Sequence, residues 1–194
     1  MINNKSKYNS GNVKADAEIA RESEEKAIKI LELAFGDKVH FENLHDDKSM
    51  WHRGDVRMSH EGKDKVFYGD VKDESRIYET RNVYCENYKY FHSKPNQKAK
   101  GWMRASKYDL VFIFDDVDKN IYILDFKALK KVYENYPLKK SRLSDCNSYG
   151  NCVPLRECRK LGILKFHIKF KENKDGSIEI LSFENCAKKA EKAA

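Results

Sequence analysis

Apolar residues recur with a helical period near the start of the chain and with strand-like periods through most of the remainder. Residues 15–38 predict an amphipathic helix that ends at Gly36. Its apolar stripe consists of Ala20, Ala27, Ile28, Leu31, Ala34 and Phe35. One acid, Glu24, lies inside this stripe, where a carboxylate costs stability unless it is paired. Solvent exposure of the first helical turns would explain Glu24 as well as a functional role would.

Strand patterns follow the helix. Alternating and continuous apolar runs bounded by turn residues predict strands or hairpins at 38–44, 50–72, 82–91, 108–129 and 163–183. The first arm of the 108–129 hairpin is continuously apolar, which is typical of a strand buried on both faces. Short helices are predicted at 129–136 and 154–161, whereas residues 94–107 are interpreted as a basic loop that carries Trp102.

This order of elements predicts one α/β domain with a central mixed β-sheet flanked by helices. The chain has 194 residues, enough for a single domain with a substantial core. We assign the domain to residues 15–186. Residues 1–14 are polar and are expected to form a flexible arm, and residues 187–194 are expected to fray.

The composition narrows the class of partner. Charged residues make up 36% of the chain and its net charge is +7, which favours polyanions such as nucleic acid. No apolar run approaches the roughly 20 residues of a membrane span, and the first residues lack the apolar segment of a secretory signal. We therefore expect a cytoplasmic protein with reduced cysteines and no membrane partner. Its abundance of lysine and asparagine hints at an AT-rich genome, such as that of a phage.

The candidate chemistry lies in the predicted hairpin 50–72. Side chains alternate along a strand, so Asp70 and Lys72 share one face while Val71 points away. The other arm can bring Asp55 beside Asp70. Two adjacent carboxylates repel each other unless a cation lies between them, and Mg²⁺ suits such oxygen ligands. Lys72 could then stabilise developing negative charge or position an attacking water.

The acid-x-lysine triplet alone is not specific, because it occurs several times in this chain. Asp125 and Lys127 also end an apolar strand, with Asp109 and Asp115 upstream, and are an alternative site. Charges at the rim of a sheet explain this second pair without any chemistry.

Asp55 followed by Asp70-x-Lys72 resembles the PD-(D/E)XK nuclease superfamily, which includes restriction endonucleases and Holliday-junction resolvases. The stretch ETRNVYCENY is similar to a T-G-N-x-x-x-E segment of phage and bacterial members, matched by Thr80, Asn82 and Glu86. The strand that begins near Tyr108 and Asp109 resembles a later strand of the family. The resemblance covers roughly residues 15–135 and has two departures, Gly54 in place of proline and Arg81 in place of glycine.

The resemblance implies a restriction endonuclease-like core and a Mg²⁺-dependent DNA endonuclease, in which Mn²⁺ can substitute. Asp55, Asp70 and the Val71 carbonyl would bind the metal, Lys72 would be catalytic, and Glu24 and Glu86 would assist. Members often act as homodimers, so a homodimer is expected by analogy. Arg81 could alter the bend or contact a phosphate.

Basic and aromatic residues around this site are candidates for nucleic-acid binding, because phosphate contacts supply most non-specific affinity. They are Arg53, Arg76, Arg81, Lys98, Lys100, Trp102, Arg104 and Lys107. The aromatic residues Trp51, Tyr78 and Trp102 could stack on bases or belong to the core.

Three alternatives to a nuclease stay open at this stage. The first is a catalytically inactive module of the same fold that binds nucleic acid or a protein. The second is a ribonuclease or inhibitor-like protein, for which the chain has no dedicated motif. The third uses the cysteines: Cys146, Cys152 and Cys158 recur every six residues, a spacing that does not match paired zinc ligands and that we interpret as a loop of scattered thiols. No cysteine is placed with a histidine and an orienting acid, as a thiol nucleophile would need.

Overall fold

A computed structural model of the protein describes residues 13–45, 47, 49–50, 53–74, 76–142 and 146–187. The helices are α1 (Val13–Phe35), α2 (Ile77–Thr80), α3 (Trp102–Ala105), α4 (Phe126–Val132) and α5 (Leu155–Lys160). The strands are β1 (Val39–Asn43), β2 (Val56–His60), β3 (Val66–Asp73), β4 (Asn82–Phe91), β5 (Lys94–Lys100), β6 (Leu110–Asp115), β7 (Asn120–Asp125), β8 (Leu138–Arg142), β9 (Cys146–Pro154), β10 (Leu164–Glu172) and β11 (Ile178–Asn185). The expected arm lies outside the described residues except for its last two, which begin α1, and the expected tail lies outside them after residue 187.

Seven strands form a mixed sheet in the order β1-β2-β3-β6-β7-β10-β11. Neighbouring strands are antiparallel except β3 and β6, which run parallel. The prediction of an α/β domain with a central mixed sheet is therefore confirmed.

The central strands of this sheet are buried on both faces, as the apolar run predicted. Phe112 and Phe114 face the layer that contains α1, whereas Val111 and Ile113 belong to a second core on the opposite side. The alternation of a strand sends successive side chains to opposite faces, so a run of apolar residues is needed to fill both cores. Helix α1 covers the first core with Ala27, Ile28, Ile30 and Leu31.

The expectation of one sheet was wrong, because β5-β4-β9-β8 form a separate antiparallel sheet of four strands. Residues 94–107 were interpreted as a loop but form strand β5 and helix α3, and the cysteine-containing stretch forms β9 and α5. Strand β5 lies at a sheet edge, and most of its side chains are exposed. An edge strand is held mainly by backbone hydrogen bonds to one neighbour, so it needs no apolar alternation.

The two sheets pack against each other through the second core. Val83, Cys85 and Val153 of the four-stranded sheet join Val111 and Ile113 of the seven-stranded sheet in one buried cluster. Residues of α4 and α5 complete that cluster. The fold therefore has α1 on one side of the large sheet and the small sheet with two helices on the other.

Most local predictions agree with the structure. Gly36 ends α1 with a left-handed backbone (φ 67°), and the hairpins β2–β3, β6–β7 and β10–β11 are formed. The helix predicted at 129–136 begins earlier, at Phe126, because the Asp125 carboxylate accepts a hydrogen bond from the Ala128 amide and caps it. In the part of the chain that the structure describes, no helix is long and apolar enough to cross a membrane.

Candidate active site

The site is built where β2 begins, beside the middle of β3. Gly54 has φ 109°, and a Cβ placed on it would lie 2.2 Å from the Gly69 carbonyl oxygen. Only glycine permits this backbone and this close approach. Proline fixes φ near −65°, so it does not fit this position, and the departure from the family pattern has a local cause.

The close approach places Asp55 beside β3. Its Oδ2 accepts a hydrogen bond from the Val71 amide at 3.2 Å, in addition to the ladder bonds between β2 and β3. Asp55 also shares a hydrogen bond with the side chain of Asp70. The two carboxyl groups that the sequence predicted to meet across the hairpin are therefore in direct contact.

The two carboxyl groups differ in how strongly they hold a proton. Burial, the hydrogen bond to Asp70 and the Asp70 charge together raise the pKa of Asp55 to about 9. Burial opposes ionisation of Asp70 as well, but the positive charge of Lys72 and the bonds from Asp55 and Lys72 outweigh it and lower the pKa of Asp70. The pKa values of the two groups are thus shifted in opposite directions, so Asp55 keeps its proton to higher pH than Asp70 does.

Lys72 forms an ion pair with Asp70 Oδ2. Burial alone would lower the pKa of Lys72, but the charges of Asp70 and Asp55 outweigh burial and raise it. The lysine is therefore a cation at neutral pH, suited to stabilise negative charge and unsuited to act as a general base. Val71, between the two charged residues, is buried against α1 on the opposite face, as the alternation predicted.

Glu24 reaches this group from α1. Its charge interacts with Asp70 and Lys72, and its Oε2 lies 2.7 Å from His45 Nδ1. Burial raises the pKa of Glu24, and the His45 contact only partly offsets this. Glu24, the acid on the apolar stripe of α1, is only 9% exposed and faces the carboxyl pair. Solvent exposure therefore does not explain an acid at this position.

The donor set fits a hard divalent cation. Asp55 and Asp70 interact directly, and the buried Tyr108 hydroxyl lies close to Asp70. No three potential side-chain ligands converge anywhere in the described ranges. Mg²⁺ commonly uses one or two protein carboxylates and completes its shell with water, so Asp55 and Asp70 match its requirements.

A cleft of about 470 Å³ lies on the face of β3 that carries Asp70. It is lined by Arg53, Val66, Tyr68, Lys107 and Asp109. Tyr68 lies two residues before Asp70 on the same face of β3, and the Arg53 guanidinium lies 4.9 Å from the centre of its ring. Arg53 and Lys107 were predicted to bind nucleic acid, and the structure brings both to the same cleft.

The other predicted binding residues are more dispersed. Arg104 donates to Asn87 and Glu134, Arg81 pairs with Asp118 at 2.9 Å, and Arg76 is exposed before α2. Lys98 and Lys100 lie on β5. Trp102 is half-buried and packs on the second core near Phe126, so its aromatic ring has a structural role. Trp51 lies outside the described residues.

The structure does not bring Glu86 to the carboxyl pair. Its carboxylate accepts a hydrogen bond of 2.7 Å from Ser148 in the four-stranded sheet. Arg81, which replaces the glycine of the family stretch, has φ 53° and ψ 27°. It therefore keeps the left-handed bend that glycine would favour and does not alter it.

The alternative pair, Asp125 and Lys127, is explained by its structural contacts. Asp125 caps α4 and lies 3.5 Å from the Lys165 amine. Lys127 is 73% exposed and pairs with Asp109 instead. These two residues therefore make no joint site comparable with Asp70 and Lys72.

The sequence did not indicate two residues that belong to the site or border it. His45 contacts Glu24, and Tyr108 lies beside Asp70. Histidine spacing carried no signal for His45. The position of Tyr108 before a strand was noticed, but its contact with Asp70 depends on the parallel pairing of β3 with β6.

Comparison of the chain with protein-family models, curated proteins and solved structures gave no match.

Proposed function

We propose that this protein is a Mg²⁺-dependent DNA endonuclease that hydrolyses phosphodiester bonds, with a restriction endonuclease-like core formed by α1, β1–β3 and β6. The observation that carries the proposal is the contact of Asp55 with Asp70 beside the cationic Lys72, on the face of β3 that lines a cleft. Two adjacent carboxyl groups whose pKa values are shifted in opposite directions are candidates for a functional site.

Each residue has a distinct role in this proposal. Asp55 and Asp70, with the main-chain carbonyl of Val71, would hold the cation after Asp55 has lost its proton. The bound cation would polarise the phosphate and lower the pKa of a water molecule. Lys72 would leave its ion pair with Asp70 and stabilise the charge that develops on the phosphate. Glu24, which contacts His45, would accept a proton or orient water.

The basic lining of the cleft supports DNA as the substrate. Arg53 and Lys107 line the cleft together with Tyr68, on the face of β3 that carries Asp70, where they can contact the phosphates that flank the scissile bond. Cutting both strands of a duplex would need two such sites, and a homodimer is our proposal for supplying them. Light scattering with and without DNA would test this part separately.

Cleavage assays test the proposal directly. Plasmid and branched DNA would be incubated with the protein in Mg²⁺, Mn²⁺ or EDTA, beside Asp70→Asn and Lys72→Ala. We expect metal-dependent nicking that each variant loses while its circular dichroism stays unchanged. The matched controls are Asp125→Asn and Lys127→Ala, an equivalent acid-x-lysine pair at the end of another strand, and both should cleave normally. Equal cleavage by the Asp70 and Lys72 variants would refute the assignment.

One observation favours a binding module instead. Asp70 is paired with Lys72, Asp55 is bonded to Val71, and no complete set of side-chain metal ligands exists within the described residues. Such a group could be a self-sufficient structural unit in a protein that binds DNA without cutting it. DNA binding that persists in EDTA, together with no cleavage in Mg²⁺ or Mn²⁺, would select this second function.

A further inference from the structure

The positive charge of the chain is concentrated on the four-stranded sheet. Its strands contain seven basic residues and one acid, a net charge of +6, whereas the whole chain has +7. The basic residues are Lys89, Lys94, Lys98, Lys100, Lys139, Lys140 and Arg142. All but Lys89 lie on the edge strands β5 and β8, so the excess charge borders both sides of this sheet.

Tyrosines occupy the middle of the same sheet. The register aligns Lys100, Tyr88, Tyr149 and Lys140 in one row across all four strands. In the next row Lys98 pairs with Tyr90, and Tyr90 pairs with Asn147. Side chains of paired residues share a face, so this face presents aromatic rings between Lys98 and Lys100 on one side and Lys140 on the other.

These tyrosines are not explained by core packing. Tyr88, Tyr90 and Tyr149 are half-buried and belong to neither of the two apolar cores. Tyr88 and Tyr149 are stacked with ring centres 5.0 Å apart, and Tyr90 meets both edge-on. The Lys98 amine lies 4.0 Å from the centre of the Tyr88 ring.

An open cavity continues this surface. It has a volume of about 250 Å³ and is lined by Tyr90, Phe91, His92, Pro95, Asn147 and Tyr149. Two of the three tyrosines thus border a recess that also contains a polar amide and an imidazole. Planar rings beside polar groups are the surroundings that an unpaired base requires.

We propose that this face, defined by Tyr88, Tyr90, Tyr149, Lys98, Lys100 and Lys140, binds single-stranded DNA. This inference deepens the proposed function, on which it rests, by naming unpaired DNA as part of the substrate. Tyrosine rings stack on bases of any sequence, and lysines on both sides neutralise the phosphates of the strand that crosses the sheet. Paired bases in a duplex are stacked on one another and cannot use such a platform.

The chain connects this surface to the cleft. Strand β5 ends at Lys100, helix α3 follows at once, and Lys107 then lines the cleft. A DNA with both unpaired and paired segments, such as a flap or branch, could use both surfaces. The inference therefore favours branched over fully duplex substrates.

Binding measured without metal tests the surface independently of cleavage. Fluorescence anisotropy in EDTA would compare a labelled 20-nucleotide single strand of DNA, the duplex of the same sequence, and the RNA strand, over a series of salt concentrations. The variants are the double change Lys98→Gln/Lys140→Gln, Tyr90→Leu and Tyr90→Phe. Lys174→Gln, in the exposed turn before β11, is the control for charge.

We expect the DNA single strand to bind more tightly than the duplex and at least as tightly as RNA. The double lysine variant should lower the salt slope by about 1.4, since each lost phosphate contact contributes about 0.7 for a single strand. Tyr90→Leu should weaken binding by about 5- to 100-fold at an unchanged salt slope, while Tyr90→Phe and Lys174→Gln stay close to wild type.

Several results would overturn the proposal: tighter duplex or RNA binding, a double lysine variant equal to Lys174→Gln, or full affinity in a folded Tyr90→Leu. These failures differ from a failure of the proposed function. If cleavage depends on Asp70 but the lysine and tyrosine variants bind DNA as well as wild type, the proposed nuclease function stands and the proposed single-strand surface is refuted. If the variants change binding as expected but the protein does not cleave DNA, the single-strand surface stands and the proposed nuclease function is refuted.

Discussion

Replacing Asp55 with asparagine should make the metal-free protein more stable at alkaline pH. Asparagine has nearly the same shape as a protonated aspartate. It can accept a hydrogen bond from the Val71 amide and donate one to Asp70, as the neutral carboxyl group does. The wild-type protein must take up a proton on folding to reach the same state. Asp55→Asn removes that requirement.

The magnitude follows from proton counting. The pKa of Asp55 is raised to about 9, whereas an aspartate in an unfolded chain titrates near 3.9. Between these values the folded state binds one more proton than the unfolded state, so stability falls as pH rises. The loss is about 1.4 kcal/mol per pH unit. Between pH 7 and 8, the free energy of unfolding of wild type should fall relative to Asp55→Asn by about that amount.

Urea denaturation in EDTA, followed by circular dichroism at pH 6, 7 and 8, measures this difference. Glu74→Gln is the matched control, because the pKa of Glu74 is raised to about 7 and its contribution ends near neutrality. With Mg²⁺ at 100 times its dissociation constant, wild type should gain about 2.7 kcal/mol and Asp55→Asn should gain little. If the free energy of unfolding has the same pH dependence in wild type and Asp55→Asn, the raised pKa of Asp55 is refuted.

Three further changes test the local structure. Gly54→Ala should cost about 3 kcal/mol or more in urea unfolding, because its φ is 109° and the added Cβ would lie 2.2 Å from a carbonyl oxygen. The control Gly62→Ala, with φ 71° and open space around it, should cost about 1–2 kcal/mol. Similar costs for the two variants would contradict the close approach at Gly54. Arg81→Gly should change the unfolding free energy by less than about 1 kcal/mol, since relief of the left-handed backbone offsets the loss of an exposed ion pair, and a larger loss would show that the arginine does more. Asp125→Ala should cost about 1 kcal/mol through its lost helix cap and leave any DNA cleavage unchanged, and a loss of cleavage would reopen the alternative site.

The large sheet could be predicted from the sequence because its signals are local. The spacing of apolar residues within α1 and within β6 is enough to predict that each element is buried. In the small sheet, β4 carries such a signal and was predicted as a strand at 82–91, but its neighbours do not. Strand β5 is Lys-rich and mostly exposed, and β9 mixes cysteine, tyrosine and asparagine, so their strand character depends on pairing with β4.

The site divides in the same way. Hairpin geometry was enough to predict that Asp55 would approach Asp70 and that Lys72 would share the Asp70 face. The contact of His45 with Glu24 joins a loop to a helix 21 residues away, and nothing in the spacing of either residue indicates it. Glu86 matched a family motif but lies on a strand of the small sheet, which the sequence did not reveal.

The small sheet is assembled from two separate excursions of the chain. Along the chain, β4 and β5 lie between β3 and β6 of the large sheet, and β8 and β9 lie between its strands β7 and β10. Each half is a local hairpin, β4 with β5 and β8 with β9, and the pairing of β4 with β9 joins the two halves only after the chain between them has returned. The two sheets should therefore unfold in one cooperative transition, and a ligand that holds β4 to β9 would also stabilise the strand that carries Asp70 and Lys72.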